Sequence, residues 1–176
     1  MEKILLVDDD PLFLSSMSKV FSSLYEVDWA KNAVEALEKV SVLNYDLIIL
    51  DYNMQPMNGL ECLRRIRSQG GDCAVILITG FGTFELATEA LENEAFTILP
   101  KPIDLKKLKE AVKKAIQNRA LMHQSKFFES QQNELQKMNH MLEVVWNQYQ
   151  DAFNNVSDMV MLLEGDRNVA SDMQKK

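Results

Sequence analysis

Five short runs rich in Ile, Leu and Val recur along residues 3–99, and segments of helix length separate them. Two of these runs, Ile4–Val7 and Leu47–Leu50, are continuously apolar, which is typical of parallel strands covered on both faces. Strands that are joined through helices have to be parallel, so the pattern predicts a doubly wound α/β fold. The predicted strands are 3–7, 26–30, 46–50, 74–78 and 96–99, and the predicted helices between them are 11–24, 33–43, 58–68 and 83–94.

A long helix is predicted after the last strand, because no Pro or Gly occurs from Ile103 to Glu164. Asp104 suits the N-cap position, and the face that packs on the sheet is predicted to hold Leu105, Leu108, Val112 and Ala115. From Leu121 the apolar residues follow a heptad, which predicts a dimeric coiled coil, and apolar flanking positions leave a larger bundle open. The a positions are Leu121, Phe128, Leu135, Leu142, Tyr149, Val156 and Leu163, and the d positions are Gln124, Gln131, Met138, Val145, Ala152 and Met159.

Polar residues follow four of the five predicted strands. Open parallel sheets bind ligands beyond the carboxyl ends of their strands, near the point where the strand order reverses. Strand two contributes no comparable residue, which fits the order 2-1-3-4-5 with strand two at the edge. Strand one is followed by Asp8-Asp9-Asp10, strand three by Asp51, strand four by Thr79 and strand five by Lys101.

Three carboxylates, those of Asp8, Asp9 and Asp51, are therefore expected in one cleft. They would repel one another unless a cation were present, and oxygen ligands are those that Mg²⁺ prefers. Asp51 is the natural nucleophile, since an aspartate can take a phosphoryl group to form an acyl phosphate. Lys101 supplies a positive charge for one phosphate oxygen, and the Thr79 hydroxyl can donate to another.

The residues at the strand ends belong to longer motifs: Val7-Asp8-Asp9-Asp10-Pro11, Asp51 with Met54, Met57, Asn58 and Gly59 downstream, Thr79-Gly80 and Lys101-Pro102. Through these motifs, residues 1–120 resemble the receiver domains of bacterial response regulators, which implies a flavodoxin-like five-stranded sheet. The resemblance implies that a sensor histidine kinase donates a phosphoryl group to Asp51. It also implies that Asp9, Asp51 and the backbone carbonyl of Asn53 bind Mg²⁺ directly, that Asp8 acts through water, and that the Lys101-Pro102 bond is cis.

Two positions depart from the receiver pattern. Gln55 stands four residues after Asp51, where the family usually has Pro, and Pro56 follows one place later. Ile98 occupies the place of the aromatic switch residue, while Phe96 lies two residues earlier and is expected on the same face of the strand. The activation route is therefore predicted to pass through the helix at 83–94 and a face of the fifth helix.

Other function classes are less compatible with these residues. A haloacid-dehalogenase-type aspartyl-phosphate hydrolase needs a second acid two residues after the nucleophile, where this chain has Asn53. A pseudo-receiver that serves as a dimerisation scaffold remains an alternative to a phosphorylation switch. The net charge of −7 argues against a nucleic-acid surface. A cytoplasmic protein is expected, because the sequence has neither an apolar run long enough to span a bilayer nor a secretory signal. As a phosphoacceptor, the protein is not expected to be an enzyme that acts on an external substrate.

Three segments are predicted along the chain: a receiver at 1–120, a coiled-coil helix at 121–158, and a segment at 159–176. Met159–Leu163 either finishes the helix or forms a strand before the turn-like Glu164-Gly165-Asp166. Asn154–Val160 followed by Gly165-Asp166 resembles the opening of a PAS sensor domain, which implies a piece of a longer protein. His123 and His140 are predicted to be solvated helix residues.

Overall fold

The computed structural model describes the backbone of residues 1–80 and 82–173 and the side chains of 1–80 and 82–150. Strands and helices alternate through this part of the chain, as predicted. The strands are β1 (Lys3–Val7), β2 (Glu26–Ala30), β3 (Leu47–Asp51), β4 (Ala74–Thr79) and β5 (Thr97–Pro100). The helices are α1 (Pro11–Phe21), α2 (Ala33–Val42), α3 (Gly59–Ser68), α4 (Phe84–Glu92) and α5 (Leu105–Met173).

All pairs of neighbouring strands are parallel, and the order β2-β1-β3-β4-β5 confirms the predicted flavodoxin-like sheet. One hydrophobic core lies between the sheet and α2, α3 and α4, and a second lies between the sheet and α1 and α5. Leu108, Val112 and Ala115 of α5 are buried in this second core, as predicted. The prediction for Leu105 is wrong, since this first residue of α5 is exposed. Helices therefore cover both faces, which explains the continuously apolar strands.

The beginnings of the helices are set by short polar side chains. Asp10 accepts a hydrogen bond from the Leu12 backbone N–H at 2.8 Å, which confirms it as the cap of α1. Asp104 accepts from the N–H groups of Lys106 and Lys107 at 2.9 and 3.2 Å and caps α5. The predicted ends of α1, α2 and α4 were one to three residues too late. After α4 the chain turns at Glu94, whose φ of 62° is incompatible with a right-handed helix.

The predicted relation between Phe96 and Ile98 is wrong. Ile98 packs against the core beneath α2, α3 and α4, whereas Phe96 packs against the core beneath α1 and α5. Period-two alternation holds only within a strand, and β5 begins at Thr97, one residue after Phe96. Phe96 therefore does not replace an aromatic side chain at the position of Ile98.

The fifth helix continues to Met173 and is 69 residues long. Residues 159–163 are helical, and the turn predicted at Glu164-Gly165-Asp166 is wrong, since the helix runs through all three residues. The chain divides into two compact units, Met1–His123 and Gln124–Lys176. Residues 174–176 of the predicted last segment lie outside the described residues. No helix among the described residues is both long and apolar enough to cross a membrane.

An ionic cluster around residues 119–123 holds α5 against the sheet. It lies at the edge of the sheet opposite to the carboxyl ends of the strands. The guanidinium of Arg119, only 18% exposed, pairs with Asp46 and lies 3.3 Å from Oδ1 of Asp72. His123, one turn later, places Nε2 3.1 Å from Oδ2 of Asp72. His123 is an exposed residue of the helix, as predicted, and it has an acidic neighbour that the sequence did not indicate. Asp46 also accepts the N–H of Lys3, so the cluster joins α5 to the starts of β1, β3 and β4.

Arg119→Met should destabilise the first unit by about 1–2 kcal/mol, because it leaves the partly buried carboxylate of Asp46 without its cation. Urea unfolding at neutral pH measures this change. Lys114→Met is the matched control on an exposed position of the same helix and should change the free energy of unfolding by less than about 0.5 kcal/mol. Equal stabilities of the two variants would contradict a structural role for the cluster.

Candidate functional site

The polar residues predicted from the strand ends lie at one rim of the sheet. Asp8 follows β1, Asp51 is the last residue of β3, Thr79 is the last residue of β4, and Lys101 follows β5. Strands β1 and β3 are neighbours at the point where the strand order reverses, which brings Asp8 and Asp51 together. Among the described side chains, the fully buried polar ones are Asp8, Asp51 and Thr79, and all three belong to this rim.

The carboxylates form one acidic cluster. Asp8, Asp9 and Asp51 each offer an oxygen, and these oxygens lie within 4.8 Å of one another. Asp8 Oδ1 accepts the backbone N–H of Asp10 at 2.8 Å. Burial raises the pKa of Asp8, and the charge of Asp51 adds to this effect, against hydrogen bonds from Asp10 and Lys101 that lower it. The net direction is upward, so the negative charge on Asp8 is only partly compensated.

Lys101 is the cation nearest to these acids among the described residues. Its Nζ lies 2.9 Å from Oδ1 of Asp51 and 3.1 Å from Oδ2 of Asp8. Burial lowers the pKa of Lys101, but the hydrogen bonds and charges of the two aspartates outweigh burial and raise it. The Lys101-Pro102 peptide bond is cis, as the resemblance implied, and the Gln55-Pro56 bond in the loop after β3 is also cis.

The cluster has the properties of a site for a hard cation. Oδ1 of Asp51 is buried, and the contact with the Lys101 ammonium at 2.9 Å leaves this oxygen a further lone pair. The carbonyl of Asn53 accepts no backbone hydrogen bond from the part of the chain that the structure describes. Carboxylate and carbonyl oxygens with spare lone pairs are suitable ligands for Mg²⁺. The residues present therefore fit the predicted metal.

Gly59 explains why α3 can begin so close to this cluster. Its backbone N–H donates to the carbonyl of Tyr52 at 2.9 Å. A Cβ at this position would overlap the backbone carbonyl of Asp51. The absence of a side chain thus lets the first turn of α3 pack directly against the end of β3.

Sequence reasoning did not identify Phe13 as part of the site. Its ring centroid lies 5.6 Å from Nζ of Lys101, and the residue is in the first turn of α1, directly after the acidic run. Phe13 and Lys101 also line one groove together with Met17, Pro102 and Ile103. The available signal was an aromatic residue three places after the Asp10 cap, but such a residue is more often part of the core.

A doubly wound sheet of order 2-1-3-4-5, with buried acids, a threonine and a lysine at its carboxyl rim, defines a receiver-type α/β domain. The chain belongs to the response regulator receiver domain family, which matches residues 4–113. It is thus a receiver of the two-component response regulators.

Known relatives match mainly through this domain. Sporulation initiation phosphotransferase F of Bacillus subtilis (strain 168) is 34% identical over 114 residues, which are 64% of this chain and 92% of the relative. Regulatory protein AtoC of Escherichia coli (strain K12) is 30% identical over 145 residues, 82% of this chain but only 29% of that protein. A cyclic di-GMP phosphodiesterase of Thermotoga maritima is 24% identical over 94% of this chain and 45% of its own length.

Solved structures agree with the fold. A CheY-like receiver domain protein from Methanospirillum hungatei JF-1 has a TM-score of 0.66 and 27% identity, and the match covers 69% of this chain and 98% of that one. A structure described as adenylate cyclase from Rhodopirellula baltica has a TM-score of 0.68 and 28% identity, with 71% and 94% covered.

Asp8→Asn should make the protein more stable at pH 7 when no divalent cation is present. Because the pKa of Asp8 is raised in the folded state, ionised Asp8 lowers the free energy of unfolding at any pH above that pKa. Below the ordinary pKa of 3.8 the carboxyl group is protonated in both the folded and the unfolded state, and the effect disappears. Urea unfolding between pH 3 and pH 7 should show an advantage of the variant that shrinks as the pH falls. Asp10→Asn is the control, since Asn also caps helices well. A variant less stable than the wild type at pH 7 would contradict the raised pKa.

Proposed function

We propose that Asp51 accepts a phosphoryl group from a phosphohistidine of a sensor histidine kinase, in a reaction that depends on Mg²⁺. The observation that carries this proposal is the convergence of three carboxylates and Lys101 at the switch point of the sheet. Membership of the receiver family supports it. The protein acts as a phosphoacceptor in a phosphorelay, and it has no turnover on an external substrate.

The chemistry follows from the groups on the rim. A carboxylate oxygen of Asp51 forms a bond to phosphorus, the bond between phosphorus and the donor imidazole nitrogen breaks, and that nitrogen keeps the electron pair. Lys101 lies 2.9 Å from Asp51 and can move its charge to a phosphoryl oxygen. Thr79, buried at the end of β4, supplies a hydroxyl to another phosphoryl oxygen. The new acyl phosphate is a dianion held by these two side chains.

The proposed reaction includes Mg²⁺ bound at the acidic cluster. Asp9, Asp51 and the carbonyl of Asn53 would hold Mg²⁺ directly, and Asp8 would act through water. When bound, Mg²⁺ neutralises charge on the acids and on the transferring phosphoryl group. A hydrolase of the haloacid-dehalogenase type would need an acid two residues after Asp51, where this chain has Asn53. We therefore propose that the acyl phosphate serves as a signal and is not an intermediate in the hydrolysis of a substrate.

The signal is proposed to pass along α5 to a second copy of this chain, as a coiled coil over 121–158. Apolar side chains at the a positions from Leu121 to Tyr149 are more than half exposed in the single chain. A second copy would bury them at 3.5-residue spacing. The rest of the chain, and any further domain such as a PAS domain beyond it, is proposed to receive this output. Several relatives extend well beyond the matched region.

Incubation with acetyl phosphate and Mg²⁺ should add the mass of one phosphoryl group to the wild type, and Asp51→Asn should gain none. Asp72→Asn is the matched control, since it changes an aspartate at the opposite edge of the sheet and should be phosphorylated like the wild type. Intact-mass spectrometry measures the product. A wild type without an Mg²⁺-dependent adduct would favour the pseudo-receiver scaffold instead.

The combined substitution of Leu135→Gln and Leu142→Gln should convert the dimer to a monomer, because it places polar groups at two successive a positions. Sedimentation equilibrium at micromolar concentration measures the mass. Lys137→Gln introduces the same side chain at an outward heptad position and should leave the dimer intact. A monomeric wild type, or a dimer that survives the double substitution, would contradict the proposed coiled coil.

A further inference from the structure

The ammonium of Lys101 has an aromatic partner in addition to its two carboxylates. Nζ lies over the ring of Phe13, 5.6 Å from the ring centroid, which is within the range of a cation–π interaction. Phe13 is partly buried against the core beneath α1 and α5, so packing holds the ring in place. The side chain of Lys101 is 36% exposed, so the two carboxylates do not enclose it.

The carboxylate partners of Lys101 change during the proposed reaction, whereas the ring does not. Asp51 loses its carboxylate charge when its oxygen becomes bonded to phosphorus, and a divalent cation held by the acids repels the ammonium. The quadrupole of the Phe13 ring attracts the ammonium in every one of these states. A lysine held only by Asp8 and Asp51 would gain freedom to leave the cleft at the stage where the phosphoryl oxygens need it.

We infer that Phe13 is a positioning residue for phosphoryl transfer to Asp51, and that it acts by holding the ammonium of Lys101 over the rim. This inference rests on the proposed function. The hydrocarbon side chain of Phe13 has no group that could transfer a proton or bind a phosphoryl oxygen, so we assign its effect on the reaction to its contact with Lys101. A side chain that only filled the wall of the groove would affect folding and packing but would not depend on the charge of Lys101.

Rates of phosphorylation by acetyl phosphate with saturating Mg²⁺ test the inference in the full chain. This small donor needs no docking surface, so any contact of Phe13 with a kinase does not enter the readout. Phe13→Leu should slow the reaction about three- to ten-fold, and Phe13→Tyr, which keeps the ring, should stay within about two-fold of the wild type. Met17→Leu, one turn further along α1 in the same groove, is the packing control and should also stay within about two-fold.

A double-mutant cycle shows whether the effect runs through Lys101. In a Lys101→Met background, Phe13→Leu should cause no further loss of rate, since there is no cation for the ring to hold. The same factor of slowing in both backgrounds would overturn the inference. A Phe13→Tyr protein as slow as Phe13→Leu would overturn it as well, because the ring itself would then not matter.

Proton NMR of the metal-free protein gives a readout that does not involve activity. The ring current of Phe13 should shift the ε-methylene protons of Lys101 upfield in the wild type and in Phe13→Tyr, and the shift should be lost in Phe13→Leu. Unchanged ε-proton shifts in Phe13→Leu would overturn the inference even if phosphorylation proceeds normally. A wild type that accepts no phosphoryl group would reject the proposed function and the positioning role together, whatever the ε-proton shift shows.

Discussion

The pairing of one lysine with two buried carboxylates is the interaction on which the site depends. Asp8 and Asp51 are buried at the ends of adjacent strands, and Lys101 lies about 3 Å from both. Burial is the main cause of the raised pKa of Asp8, and the charge of Asp51 adds to it. The single positive charge of Lys101 cannot neutralise these two acids and Asp9. Such an imbalance favours the binding of a divalent cation and of a group that the cation stabilises.

The strand order gathers these charges at one rim of the sheet, far from the charged residues at the other edge. Parallel strands direct all their carboxyl ends to one rim, so the acids, Thr79 and Lys101 converge there. The opposite edge holds a different set of charges, in which Arg119 and His123 of α5 meet Asp46 and Asp72. A structural change caused by phosphorylation at the rim must pass through the sheet or along its helices to reach the cluster around Arg119. We expect α5 to carry it, since the same helix packs on the sheet and extends beyond the first unit.

Most of the fold, and the meeting of the three aspartates and Lys101 at one rim, could be inferred from the sequence, for identifiable reasons. Short, continuously apolar runs separated by helices fit few structures other than buried parallel strands. The polar residues that follow these runs lie at the rim of the sheet even when the predicted strand limits are wrong by one residue. Contacts made by side chains on different elements were missed. Nothing near Arg119 in the sequence indicates Asp46 or Asp72, and nothing near Phe13 indicates Lys101. Phe96 was placed on the wrong face because β5 begins one residue later than predicted, and alternation converts a shift of one residue into a change of face.

We propose that Asp51 carries the phosphoryl group while Lys101 moves from the carboxylates to that group. A crystal structure of the chain with Mg²⁺ and beryllofluoride, a stable mimic of a phosphoryl group, would test this proposal. Beryllofluoride should then lie on a carboxylate oxygen of Asp51 with Lys101 in contact with a fluorine, and Mg²⁺ should be bound by Asp9, Asp51 and the carbonyl of Asn53. Beryllofluoride on another residue, or Lys101 still paired with Asp51 beside a bound mimic, would contradict it.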